Sequence, residues 1–367
     1  MNFDFSEEQK YIQEQARAML SKECGAATVR QVLDGNSQFD ADLWANIVAL
    51  GWPATTIAEE HGGLGLSYLE LCVIAMEMGR VLAPVPFIAS VYLGTEIIKA
   101  AASDDQQAEW LPSLAAGECI VTLACGEGLS SYRKDQPDCR IVDGKLSGKK
   151  SAVLHGMIAN KAVVTATEND QLGLYMVDLS HASINRQNQA SLDPSLPRAQ
   201  FTFTQTPTVR LAANIDALTA LNTVYDRAAV LLAFEQVGGC EAAIDMAKAY
   251  TTDRYAFGRQ VASFQAIKHK LADMFVAKEL AKSNAYFGAW ALSADAPELA
   301  LAAATARVSA IDAYYLCSKE NIQAHGGMGF TWEFDCHLYY RRAQALATLI
   351  GSNPQWKSLL VDRLLAA

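Results

Sequence analysis

Residues 323–342 read Gln-Ala-His-Gly-Gly-Met-Gly-Phe-Thr-Trp-Glu-Phe-Asp-Cys-His-Leu-Tyr-Tyr-Arg-Arg. An alanine-rich segment with the composition of a helix, 299–322, leads into them and stops at Gly326, Gly327 and Gly329. A second helical pattern begins near Phe334. Glycines this close together let the backbone approach a ligand and present its N–H groups. The helix that follows adds the positive end of its dipole, which suits an anion such as a pyrophosphate. Taken alone, the stretch fits a plain helix–loop–helix corner with a glycine cap better than a cradle, because short glycine patterns recur widely.

Working outward, the helical period extends on both sides. Segments 215–252, 262–293, 296–322 and 335–363 read as four long helices with short breaks, the pattern of a bundle. Residues 1–118 are also helical in texture. Ser6 with Gln9 and Ser103 with Gln106 fit capping boxes. Segments 40–50 and 68–81 read as further helices, separated by a glycine-broken loop at 58–66. Between these parts, from about 119 to 210, the segments are short and rich in Val, Thr, Ile and Phe. Those at 120–123, 139–142, 161–165, 172–177 and 200–204 read as strands, with turn signals such as Asp143-Gly144 between them. The expectation is an α+β chain with an N-terminal helical domain (1–118), a small central β-barrel or sandwich (119–212) and a C-terminal four-helix bundle (213–367).

Composition narrows the function. A chain of 367 residues, half of them hydrophobic, can form two or three domains with a large core. Its net charge of −10 argues against a nucleic-acid groove or a basic membrane patch. The most apolar stretch, 81–95, is too short to span a bilayer and holds Pro84 and Pro86. No basic-then-apolar leader is seen at the N-terminus, and none of the eight scattered cysteines forms a CxxC pair. Reduced thiols in a cytoplasmic protein without a zinc site are therefore expected.

A second stretch, 250–274, places Arg254, Phe257, Gly258 and Gln265 at a corner between two helices. There Gly258 would end the first helix and Ser263 would cap the next. An arginine can fork onto a phosphate, a phenylalanine can lie along a flat ring, and a glutamine can read an adenine edge. The plain alternative is a corner in which Arg254 caps a helix, Phe257 fills core and Gln265 is solvated.

Taken together, these residues carry a resemblance. Arg254-x-x-Phe257-Gly258 with Phe264-Gln265, then Gln323-x-x-Gly326-Gly327-x-Gly329, then Tyr340-Arg341, is similar to the acyl-CoA dehydrogenase family. So are the leader at 5–9, the Glu59-Glu-His-Gly-Gly-Leu-Gly65 loop and the Trp110-Leu-Pro-Ser-Leu-Ala-Ala-Gly-Glu118 entry to the β region. The resemblance is colinear and covers nearly the whole chain. It implies FAD-dependent α,β-dehydrogenation of an acyl-CoA thioester, with a carboxylate base and with electron-transfer flavoprotein as acceptor. It further implies that the flavin spans a subunit interface. Arg254, Phe257, Gln265, Gln323, Gly326 and Gly327 are then contacts for the ADP half of a neighbour's FAD.

Three departures from the family pattern point one way. Counting on from Tyr340-Arg341, the usual Glu-Gly pair of the base is Ile350-Gly351, and isoleucine cannot accept a proton. The alternative base position, one residue before an Arg in the first C-terminal helix, falls on Ala228, with Asp226 and Glu235 as displaced candidates. Their plainer readings are a surface acid and a paired acid. The Thr-Glu-Pro segment of the flavin-ring loop is replaced by the Thr122-Leu-Ala-Cys-Gly-Glu-Gly-Leu-Ser-Ser131 stretch, in which Gly126, Gly128 and Ser130 remain. The aromatic-Ile-Thr strand reads Ala152-Val153-Leu154, without a stacking ring or a hydroxyl. The resemblance is thus to the subunits of two-chain steroid side-chain dehydrogenases. It implies an α2β2 heterotetramer in which a homologous partner supplies the ring site and the base. A homotetramer using Asp226 or Glu235, and a non-catalytic scaffold, are the competing expectations.

Overall fold

The computed structural model describes residues 5–128 and 136–366. Six helices come first: α1 (Glu7–Glu23), α2 (Ala26–Leu33), α3 (Ala41–Ala49), α4 (Tyr68–Arg80), α5 (Glu96–Ala101) and α6 (Asp104–Ala115). Strands follow: β1 (Val121–Ala124), β2 (Arg140–Val142), β3 (Lys145–Leu154), β4 (Lys161–Glu168), β5 (Gln171–Asp178), β6 (Ile184–Gln189), β7 (Arg198–Pro207) and β8 (Val209–Arg210). The chain then returns to helix with α7 (Ala217–Asp253), a short hairpin of β9 (Tyr255–Ala256) and β10 (Arg259–Gln260), α8 (Gln265–Ser293), α9 (Leu299–Ala324), α10 (Cys336–Ala347) and α11 (Asn353–Ala366). This is the α, β, α order expected from the residues.

The chain forms two compact units, and α7 runs from one into the other at Ala228–Ala229. The first unit holds α1, α4, most of α7 and everything after it. Its α1 starts at the Ser6–Gln9 capping box, where Ser6 Oγ accepts from Gln9 N and Gln9 Oε1 accepts from Ser6 N. Gln13 and Arg17 of α1 both donate to the buried Glu77 of α4, Arg17 through two nitrogens. Helices α4 and α7 cross at backbone contact. A Cβ on Gly79 would lie 1.8 Å from the Glu235 carbonyl oxygen, and one on Gly238 would lie 1.8 Å from that of Met76. Only glycine permits this approach, so both glycines are set by packing.

The second unit holds the second half of α2, then α3, α5, α6 and strands β1–β8. The strands form one eight-stranded sheet in the order β6-β7-β3-β2-β4-β5-β8, with β1 pairing parallel to β4 beside β2. Strand β6, Ile-Asn-Arg-Gln-Asn-Gln, lies at one edge and carries almost no apolar residue, so the alternation of a half-buried strand is missing from it. The apolar run after Pro86 coils into a wholly buried π-helical turn, Ile88–Thr95, against β1. Gly94 sits there with room for no Cβ, which would lie 2.4 Å from the Val121 oxygen. Among the described residues no helix is long and apolar enough to cross a membrane.

Two sequence expectations need correction. The helix expected over 335–363 is two helices, α10 and α11. Gly351 takes φ +121, which a helix cannot use, and Ser352 and Pro354 restart the chain as helix-opening residues. The corner at 250–265 is also not a bare helix junction. Helix α7 ends at Asp253, and Phe257-Gly258 form the two-residue turn of the β9–β10 hairpin, both with positive φ. Gly258 therefore ends no helix. Ser263 caps none either, because its hydroxyl donates to the Gln260 carbonyl and Phe264 is the residue before α8.

Candidate functional site

In the first unit, three chain ends meet. Tyr250, one turn before Arg254 at the end of α7, stacks on His325 at the end of α9, with centroids 4.2 Å apart. The Lys270–Glu320 ion pair and a Cys317 Sγ bond to the Met274 carbonyl (3.5 Å) tie α8 to α9. Gln265 is the first residue of α8 and Gln323 lies in the last turn of α9. The structure thus gathers Arg254, Gln265, Gln323, Gly326 and Gly327 on one end of the helical unit, all of them exposed.

The three glycines divide by role. A Cβ on Gly329 would lie 2.4 Å from the Ile322 oxygen, so that glycine is a packing requirement. Gly326, at φ +61, and Gly327 face open space, with nothing within 4 Å of an added Cβ. Their backbone is available to a ligand. Phe257 stands on the β9–β10 hairpin tip, three residues after Arg254, 96% exposed, at φ +52. Positive φ costs a non-glycine residue of order 1–3 kcal/mol, and here it holds an apolar ring out in water. Phe257 does not fill core. A phosphate-bearing, flat ligand fits this end: guanidinium, open glycine backbone, a free ring face and two carboxamides.

The segment that the family pattern assigns to the flavin ring lies in the second unit and is already engaged with itself. A bulge in β3 between Lys150 and Val153 holds Ala152 at φ +55, and its N–H donates to Gln189 Oε1 at 2.7 Å. Ser151 N donates to the Gly126 carbonyl (2.8 Å), and a Cβ on Gly126 would lie 2.8 Å from Ser151 O. Thr122 Oγ1 donates to Leu154 O at 2.7 Å. The buried Lys150 donates to Glu127 Oε1 at 2.7 Å and to Thr165 Oγ1 at 2.9 Å. Burial alone would raise the Glu127 pKa. The Lys150 ammonium and the amides of Asp138 and Cys139 outweigh it and hold the carboxyl at about 2. Ser130 lies outside the described residues. Among the described residues of this segment these groups are bonded to one another and offer no aromatic ring to stack on.

The acids are placed as follows. Glu235 is buried (4% exposed) with its Oε1 3.6 Å from Nη1 of the equally buried Arg342, whose Nη2 donates to the Leu82 carbonyl. Asp226 is buried in the second unit beside Arg227, whose guanidinium reaches Glu96 at 2.8 Å. Ile350 is buried between α10 and α11, and its carbonyl accepts from Trp356 Nε1 at 3.1 Å. Among the described residues no group of His, Cys, Asp and Glu could hold a metal ion.

The family model of the acyl-CoA dehydrogenase N-terminal domain matches residues 6–118, and that of the C-terminal domain matches 204–365. The chain belongs to the acyl-CoA dehydrogenase family. This acyl-CoA dehydrogenase is 31% identical over 347 residues to acyl-CoA dehydrogenase IpdE2 of Mycobacterium tuberculosis, covering 94% of each chain. Its structure is similar to that of the Tcur3481–Tcur3483 steroid ACAD, with a TM-score of 0.88, 25% identity and 98% of each chain covered. It shares the fold of the ChsE4–ChsE5 complex from Mycobacterium tuberculosis at a TM-score of 0.90 and 20% identity, each chain covered in full. FAD is the cofactor of the family, an oxidoreductase family.

Sequence reasoning missed two residues of this site. Tyr250 sits inside the 250–274 stretch and His325 inside the 323–342 stretch, yet neither was given a role there. The available signal was position: each lies within one turn of the residues already singled out, Tyr250 before Arg254 and His325 before Gly326.

Proposed function

We propose that this acyl-CoA dehydrogenase works as one subunit of an α2β2 heterotetramer that desaturates the α,β bond of an acyl-CoA thioester, a steroid side-chain CoA. In this reading it contributes the ADP-side contacts to a flavin whose ring and catalytic base belong to a homologous partner. FAD, when bound, supplies the hydride acceptor, and electron-transfer flavoprotein takes the electrons onward. This chain's own part is binding and orientation. Arg254 meets the pyrophosphate charge with a fork of donors, Gly326 and Gly327 offer backbone without a side chain in the way, and Gln265 and Gln323 offer carboxamides to polar edges. Phe257 covers an apolar ring face and keeps water from it.

The observation that carries the reading is an asymmetry within one chain. The ADP-side residues are exposed and unobstructed, while the Ala152 amide at the ring segment is held by Gln189 and Glu235 is locked to Arg342. The name of the Tcur3481–Tcur3483 steroid ACAD supports a two-chain assembly and the substrate class. The test is expression of this chain alone and together with a homologous acyl-CoA dehydrogenase encoded beside it. Colourless protein alone and yellow, acyl-CoA-bleached protein on co-expression is the expected outcome. Yellow, active protein from the lone chain would overturn the heteromeric reading in favour of a homotetramer with a displaced base. A colourless co-expressed complex would favour a scaffold.

A further inference from the structure

We infer that His325 and Tyr250 are positioning residues that set the Gly326–Gly327 turn in register with Arg254, so that the two halves of the ADP-side site act as one. The inference rests on the ADP-side reading above and adds two residues to it.

The geometry begins at Asn321. Its carbonyl accepts from His325 N (3.2 Å) as the last helical bond of α9 and from His325 Nδ1 (2.8 Å). A carbonyl can only accept, so Nδ1 carries the proton and the imidazole is pinned flat across the helix end in one tautomer. The residue is 4% exposed, and burial lowers its pKa, which keeps the ring neutral and compatible with the aromatic faces around it. Tyr250 stacks on one face at 26° between planes. Phe334, just before α10, sets its edge against both rings, 5.8 Å from His325 and 5.9 Å from Tyr250. His325 Cβ also lies 3.1 Å from where a Gly329 Cβ would be, so the turn closes back against this residue.

The consequence is mechanical. Gly326 follows His325 directly. Arg254 follows Tyr250 by one turn and bonds back to it, N to O at 2.9 Å. Gly326 and Gly327 have no side chains to hold their place, and Arg254 stands just past the end of α7, where the chain turns into the β9–β10 hairpin. The His–Tyr stack, with Phe334 set against both rings, joins these two ends. Loss of the pin frees the ring, and loss of the stack frees the distance between guanidinium and glycine backbone. A misplaced pair binds the same anion less well without touching the chemistry at the ring.

The test is a double-mutant cycle on FAD affinity in the co-expressed complex, stripped of flavin and retitrated with FAD by fluorescence. His325→Asn keeps a donor near Nδ1 and removes the ring, and Tyr250→Leu removes the stack from the other side. Each is expected to raise the FAD Kd about tenfold, and the double variant is expected to raise it no further, because both delete one contact. His325→Phe keeps a ring and loses only the pin. It is expected to raise Kd about threefold, on the scale of one neutral hydrogen bond, and it stands in for His325→Asn if that variant does not assemble. Singles that lower Tm but leave Kd within about twofold, or a double variant whose effects multiply to about a hundredfold, would overturn the inference. Arg254→Ala in the same complex separates the two levels. If it too leaves Kd unchanged, the ADP-side reading has failed; if it raises Kd while the His325 and Tyr250 variants do not, only the positioning role has.

Discussion

Glu235→Gln separates a catalytic acid from a structural one. Glu235 and Arg342 are both almost fully buried, with Oε1 and Nη1 3.6 Å apart. At an effective dielectric of 20 that spacing corresponds to an attraction of about 4–5 kcal/mol. Removing one member of a buried ion pair costs ~3–5 kcal/mol, because the other charge is left in a poor solvent. Glutamine keeps the volume and one acceptor, so ~3 kcal/mol is expected, with a fall in Tm on the order of 10 °C at roughly 2–4 °C per kcal/mol. Thermal unfolding of the mixed complex measures it, alongside turnover per bound flavin, which should stay within about twofold. A Glu235→Gln complex with unchanged Tm and turnover down by a hundredfold or more would refute the reasoning and make Glu235 the base.

Acid sensitivity should map partly to the Lys150–Glu127 pair. Glu127 has a folded pKa of about 2 against an ordinary 4.5, so it contributes ~3 kcal/mol that is fully present above 4.5 and lost as pH falls toward 2. Urea midpoints at pH 7, 4.5 and 3 should therefore fall more steeply for the parent chain than for Glu127→Gln, and parallel slopes would remove the pair from the account. Gly79→Ala should abolish soluble folded protein, since its Cβ would meet the Glu235 carbonyl at 1.8 Å and no rotamer relieves a backbone clash. Gly327→Ala should leave Tm within about 2 °C, because nothing lies near the added Cβ, and yet lower the flavin content. Equal thermal effects of the two glycine variants would contradict the division between packing and ligand-facing glycines.

How far the residues themselves announced this structure varied with the physics at each place. The Ser6–Gln9 and Ser103–Gln106 capping boxes are local chemistry, and both appear as read. The bundle helices were legible from their period, but not the break at Gly351, whose neighbours Leu349 and Ile350 continue an apolar pattern across it. Strand β6 was invisible because its order comes from pairing with β7 rather than from any alternation of its own. In the candidate site, residues with charge or conformational freedom stood out, as Arg254 and Gly326 did. What could not be read was tertiary: that Phe257 sits on a hairpin tip, that Gln189 reaches the Ala152 amide, and that Tyr250 meets His325 across 75 residues of sequence.

The central claim is that this chain holds the ADP half of a flavin whose ring lies on another subunit. The flavin-to-protein ratio of the co-expressed complex carrying Arg254→Ala in this chain alone tests it most directly. The account predicts a ratio below about a fifth of the parent's with the complex still assembled, since a charge-assisted bidentate contact contributes ~1.5–3 kcal/mol and each 1.4 kcal/mol is tenfold in affinity. An assembled Arg254→Ala complex with its full complement of flavin would contradict it.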